Sequence, residues 1–134
     1  MLLRRGEWAM PRLRVLLAAL AVMLAADWAR AAELVLFETE GCPYCEKWQQ
    51  EVGEIYRLTD EAKILALRRI EIAEPIPDDL KHIPDIEFTP TFVVIEGGRE
   101  VGRVEGYLGE EQFWGLLGEI LKRLKTAAPN DAQG

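Results

Sequence analysis

A chain of 134 residues with a formal charge of −7 has room for one small core but not for two domains, and its acidity disfavours nucleic acid or an anionic membrane as partners. The same charge suits ordinary solubility, so it does not select a protein substrate. Two cysteines and a single histidine, His82, fall short of the four ligands that a tetrahedral zinc site normally uses.

In chain order, Arg12 and Arg14 precede the apolar run Val15–Ala26, and Ala29-Arg30-Ala31 has the small-x-small pattern of a signal-peptidase site. Residues 1–31 are therefore expected to be a cleavable signal peptide, with Met10 as an alternative start. A retained anchor is the weaker reading, because a span needs roughly 20 apolar residues. Arg4-Arg5 does not continue as a twin-arginine signal, and no lipid-attachment cysteine lies near the cleavage point. Cleavage removes five basic and two acidic side chains, leaving 103 residues and a charge of −10. Secretion implies an oxidising compartment, where a structural disulfide would persist and a reducing one would need electrons delivered continually.

The remainder reads as alternating strand and helix, an α/β domain over residues 32–126. Leu34–Phe37 predicts a short apolar strand, and residues from Pro43 to about Leu58 predict a helix with Trp48, Val52, Ile55 and Tyr56 toward the sheet. A second strand is expected over 65–72. Pro75, Pro77 and Pro84 make 74–88 a loop with at most one helical turn. Thr91–Glu96 and Arg99–Glu105 predict a hairpin turning at Gly97-Gly98. A last helix from near Glu110 is expected to bury Phe113, Leu116, Leu117, Ile120, Leu121 and Leu124, with residues 127–134 as a fraying, flexible tail.

Both cysteines lie in one window, Gly41-Cys42-Pro43-Tyr44-Cys45. A bridge across two residues closes so small a loop that it restrains the unfolded chain little, which favours chemistry over structural stapling. Pro43 suits the first turn of a helix because it has no N–H to leave unpaired. Cys42 then sits among exposed amides that favour a thiolate, with Cys45 one turn inward. Cys42 is assigned as the attacking thiol and Cys45 as the resolving thiol.

The order strand, dithiol, helix, strand, connection, hairpin, helix is thioredoxin-like. The cysteine window resembles that of glutaredoxins, while Phe88-Thr89-Pro90-Thr91-Phe92-Val93-Val94 and Gly102-Arg103-Val104-Glu105-Gly106-Tyr107 look like thioredoxin segments. Together with Glu110–Leu117, they make residues 34–124 similar to the SoxS family of small periplasmic thioredoxins encoded with bacterial thiosulfate-oxidation genes. The resemblance implies a compact central sheet with flanking helices and a thiol–disulfide reductase that maintains the SoxYZ sulfur-carrier complex. It implies active cysteines at Cys42 and Cys45, Pro43 and Tyr44 between them, a cis-proline at Pro90 facing them, and a substrate-pairing backbone at Thr89. No cofactor is implied beyond the internal Cys42–Cys45 disulfide, and a membrane electron donor is expected to reset it. A general oxidase or isomerase and a redox-regulated binding module are the alternatives.

Two residues depart from ordinary thioredoxin. Gly41 stands at the usual tryptophan, and Leu36 where a buried acid assists proton transfer. Acid–base assistance then falls to water, the dithiol, or Glu38 and Glu40, which read equally as solvated loop charges. The glycine pair that helps glutaredoxins hold glutathione is replaced by Gly106-Tyr107, which leaves glutathione open as a mixed-disulfide ligand without making it a cofactor. Trp48, Trp114, Tyr56 and Phe113 are read as packing residues, and His82 as an exposed loop residue rather than a proton donor. Tyr44 is balanced between substrate contact and simple exposure. Asp78-Asp79 either meet a partner or bridge to the sheet.

Overall fold

Leu34, Val35, Leu36 and Phe37 are all buried, which places β1 (Glu33–Glu38) inside a sheet covered on both faces. The computed structural model describes residues 32–83 and 85–127. The expected signal peptide, Pro84 and residues 128–134 of the expected tail lie outside the described residues, and Ala127 closes the last helix. Strand β1 pairs in parallel with β2 (Ala66–Glu71) and antiparallel with β3 (Thr91–Glu96), which carries β4 (Arg99–Glu105) on its far side. The sheet order is therefore β2-β1-β3-β4. No described helix is long and apolar enough to cross a membrane.

A parallel neighbour demands a crossover, and residues 43–64 supply it. The helix expected there forms as α1 (Pro43–Trp48), a π-helical segment (Gln49–Gly53) and α2 (Glu54–Tyr56). Trp48, Val52 and Tyr56 are buried as predicted, but Ile55 is 49% exposed. The i→i+5 turn absorbs an additional residue, so positions four apart stay in line and the position before Tyr56 rotates outward. Gly53 fits this turn because a Cβ there would come within 2.9 Å of the Trp48 ring. A further short helix, α3 (Asp60–Ile64), follows; Thr59 caps it by accepting the Ala62 N–H at 3.3 Å. The Tyr56 hydroxyl donates to the Leu65 carbonyl at 2.9 Å and ties the crossover to the start of β2.

The helical face of the sheet holds the aromatic core. Trp48 packs 5.1 Å from Phe92 and 5.9 Å from Phe113 between ring centroids, and Phe92 meets Phe113 at 4.8 Å. The last helix, α4 (Glu110–Ala127), buries Phe113, Leu117, Ile120, Leu121 and Leu124 but leaves Leu116 44% exposed. Its stripe is centred away from Leu116 because Trp114, on the opposite shoulder, stacks on Tyr56 with ring planes 5° apart. Among the described residues the opposite face carries no long helix. Val35, Phe37, Ile70, Val93 and Ile95 lie under the connecting loop, whose one helical turn is the 3₁₀ segment Asp78–Leu80, with Leu80 buried.

The corrected phase of α4 sets a direct contrast. Leu117→Ala is expected to lower unfolding free energy by about 2–5 kcal/mol, and Leu116→Ala by less than about 0.5 kcal/mol, in denaturant titrations. Equal losses would contradict the placement of this helix.

Candidate redox site

Strand β1 ends at Glu38 and delivers the chain to a tight turn in which the Cys42 N–H bonds to the Thr39 carbonyl at 3.3 Å. Gly41 occupies φ +73°, a conformation that side-chain-bearing residues rarely adopt, so a tryptophan would be strained at this position. Cys42 is extended and caps α1, its sulfur accepting the Cys45 N–H at 3.2 Å, while Pro43 takes the first helical turn. Cys42 and Cys45 form a disulfide with Cα atoms 5.3 Å apart. In this oxidised form both are buried, at 7% and 5% exposure, whereas Pro43 and Tyr44 face solvent.

From the other side, the turn before β3 reaches the same sulfur. The Thr89–Pro90 peptide is cis and Pro90 is buried. The Thr89 hydroxyl approaches Cys42 Sγ at 3.4 Å, and its carbonyl oxygen lies at the same distance. Thr91, also buried, donates its hydroxyl to the Phe88 carbonyl at 2.6 Å, and the Pro90 carbonyl accepts the Gly106 N–H at 2.7 Å. These bonds join the turn to the loop after β4. Five of the six expected site residues, Cys42, Pro43, Cys45, Thr89 and Pro90, thus meet around one disulfide. Tyr44 stands beside them in an apolar groove of about 400 Å³ with Phe88, Thr89, Tyr107 and Leu108.

The opposite flank is polar. A groove of about 300 Å³ brings Glu38, Gln49 and Arg69 alongside both cysteines. Arg69 grips Glu38 through two bonds, Nε to Oε1 at 2.6 Å and Nη2 to Oε2 at 2.7 Å, and also donates to Gln49. The hydrogen bond to Glu38 is the main cause that raises the Arg69 pKa, so the guanidinium stays charged and offsets the carboxylate's opposition to a nearby thiolate. Leu36 is fully buried and brings no acid to the site. Glu40 contributes its backbone N–H, which donates to Glu71 Oε2 at 2.9 Å. The other Glu71 oxygen accepts the Ala73 N–H at 3.0 Å, so one carboxylate links the cysteine turn to the end of β2.

Sequence reasoning missed Arg69, Gln49, Glu71 and the Thr89 hydroxyl. No local sequence signal marks the first and third, which are placed by the β1–β2 register that sets Leu36 opposite Arg69 and Glu38 opposite Glu71. His82 is exposed and bonds to the Gly98 carbonyl at the hairpin turn rather than to the cysteine pair. Asp79 bridges to the sheet through two bonds from Arg68, at 2.6 and 3.1 Å, and Asp78 pairs with Lys81. Among the described residues no group of three or more His, Cys, Asp or Glu side chains is placed to hold a metal ion.

A reversible disulfide in this setting, on a four-stranded mixed sheet with flanking helices, defines a thiol–disulfide oxidoreductase. A thioredoxin-like domain model matches residues 25–121, and the chain belongs to that family. It is similar to the periplasmic thioredoxin SoxS from Paracoccus pantotrophus, with 39% identity over 69% of this chain and 98% of that one and a TM-score of 0.65. A thioredoxin from Thermus thermophilus shares 24% identity over 87% and 92% of the two chains, with a TM-score of 0.56. The Malassezia sympodialis thioredoxin shares 17% over 67% and 77%, also with a TM-score of 0.56. These last two likenesses speak for the fold alone. No curated protein matches the chain.

The Glu71 link carries a pH signature. Hydrogen bonds from the Ala73 N–H first, then from Thr39 and the Glu40 N–H, hold its pKa below the ordinary 4.5. A carboxylate depressed by folding stabilises fully above its unfolded value, and that stabilisation is lost as pH falls through the folded one. Glu71→Gln is therefore expected to flatten the decline of the denaturation midpoint as pH drops below about 4.5. Parallel acid limbs for wild type and variant would show that folding does not favour the ionised form.

Proposed function

We propose that this chain is a periplasmic thiol–disulfide reductase that maintains or reactivates the SoxYZ sulfur-carrier complex. The observation that carries the reading is the 39% identity to SoxS across 98% of that periplasmic protein, joined to a disulfide placed for exchange. The leader read in residues 1–31 supports the same location. In the reduced form the Cys42 thiolate attacks a partner sulfur, forming a mixed disulfide and releasing the first partner thiolate, which takes up a proton. The Cys45 thiolate then attacks Cys42 Sγ, expels the second partner thiolate and leaves the Cys42–Cys45 disulfide. Two electrons have passed to the partner. A membrane electron donor returns them, and glutathione is a smaller thiol suited to the same mixed-disulfide step.

The same geometry supports a role for each neighbouring residue. The Cys45 N–H and the Thr89 hydroxyl both approach the Cys42 sulfur, where they favour negative charge on the attacking atom. Pro43 starts the helix that presents the pair, Pro90 sets the facing turn, Thr89 offers backbone to an extended partner, and Tyr44 adds exposed contact surface.

Two measurements test this function. A Cys45→Ser variant is expected to trap SoxYZ as a covalent adduct through Cys42, in competition with unrelated disulfide proteins, and wild type to restore the carrier's free thiol when given a reductant. Equal capture of unrelated proteins would remove the specificity, and no adduct would remove the carrier role. Equilibration with glutathione is expected to give a potential of about −200 to −270 mV, as for glutaredoxins and thioredoxin, whereas about −120 mV would mark an oxidant.

A further inference from the structure

Tyr44, Phe88 and Leu108 are 57%, 58% and 76% exposed, and they line one groove although they come from the start of α1, the turn before β3 and the loop after β4. Single exposed apolar residues need no explanation, but convergence on one groove does. The groove borders the reactive sulfur through Thr89, one of its walls, whose hydroxyl oxygen lies 3.4 Å from Cys42 Sγ. Its frame is fixed: Thr91 pins the Phe88 carbonyl, Pro90 accepts the Gly106 N–H, and buried Tyr107 donates to Glu51 at 2.6 Å. The other side of the disulfide offers Glu38 and Gln49, both already bonded to Arg69.

Charge distinguishes the rim. Glu105 lines the groove with half of its side chain exposed, and its ion-pair partner Arg103 stands 3.7 Å away. Arg103 is held more tightly by Glu100, through two bonds of 2.6 and 2.7 Å, so Glu105 keeps most of its charge available to a visitor.

We infer that this groove selects extended partner segments in which a bulky apolar residue adjoins the reactive cysteine and a lysine or arginine lies beside it, with Phe88, Leu108 and Glu105 setting the preference. The inference rests on the proposed function, since a segment joined through sulfur to Cys42 must pass along one flank of the disulfide. The apolar neighbour covers Phe88 and Leu108, and the cation meets Glu105. The occupant is thus a cysteine-bearing segment of apolar and basic character.

The test uses synthetic peptides whose single cysteine is joined by a disulfide to 2-nitro-5-thiobenzoate, released visibly when the reduced protein attacks. One peptide carries leucine and lysine around the cysteine, a second alanine and lysine, a third leucine and glutamate. Wild type is expected to favour leucine over alanine by about tenfold in kcat/KM, on the scale of burying part of one apolar side chain. It is expected to favour lysine over glutamate by about threefold, with the gap closing as salt is raised. Phe88→Ala and Leu108→Ala should each shrink the leucine-to-alanine ratio, and Glu105→Gln the lysine-to-glutamate ratio alone. Ratios read within each variant cancel any change in Cys42 reactivity or in the folded fraction. Equal rates for the three peptides in wild type would overturn the inference. Failure of wild type to reduce even a small symmetric disulfide would overturn the reductase reading instead.

Discussion

The sulfur of Cys42 is held where two remote parts of the chain meet, between the first turn of α1 and the turn that precedes β3. Its acceptance of the Cys45 N–H depends on Cys42 remaining extended while Pro43 begins the helix. Its contact with the Thr89 hydroxyl depends on the turn ending at Pro90, which Thr91 and Gly106 secure from either side. Displacing either support removes a donor that favours charge on the sulfur, and with it the distinction between the two cysteines. Much of the remaining structure can be understood as keeping these supports in register.

The sheet does this from beneath. β1 and β3 are antiparallel neighbours, with Phe37 opposite Thr91, so the strand leading into the cysteine turn and the strand leaving the proline turn share one hydrogen-bonded ladder. The aromatic group of Trp48, Phe92 and Phe113 then locks helix α1 to β3 and α4. On the outer side, Arg69 and Glu71 extend from β2 to Glu38 and the Glu40 N–H and hold the approach to Cys42. The disulfide thus lies between a charged, internally satisfied flank and an apolar, open one, an asymmetry that suits a protein that must receive a partner on one side.

Local chemistry made a large part of this legible. The hairpin strands Thr91–Glu96 and Arg99–Glu105 fall where alternation and the Gly97-Gly98 turn placed them, and the single turn in the 74–88 loop follows from its prolines. Ile55 and Leu116 were misplaced because a 3.6-residue period cannot register a π-helical turn set by Trp48 against Gly53, nor a stripe pulled aside by Trp114 on Tyr56. Helix α3 was missed although Thr59 followed by Asp60 and Glu61 is a readable start signal. The Arg69 and Glu71 contacts were hidden for a different reason. They require the parallel register of β1 with β2, a pairing across some thirty residues that no local pattern specifies. The disulfide itself, and the cis peptide that the resemblance implied, were anticipated at Cys42, Cys45 and Pro90.

The central claim is that surroundings, rather than mere exposure, make Cys42 the attacking sulfur; in the disulfide form both cysteines are almost equally covered. The most direct measurement is the alkylation rate of each cysteine in the fully reduced protein as a function of pH, with the modified residue identified by mass spectrometry. The account predicts that Cys42 is modified first throughout the physiological range, and that Thr89→Val slows Cys42 while leaving Cys45 unchanged. Faster modification of Cys45, or a Cys42 rate indifferent to Thr89, would contradict it.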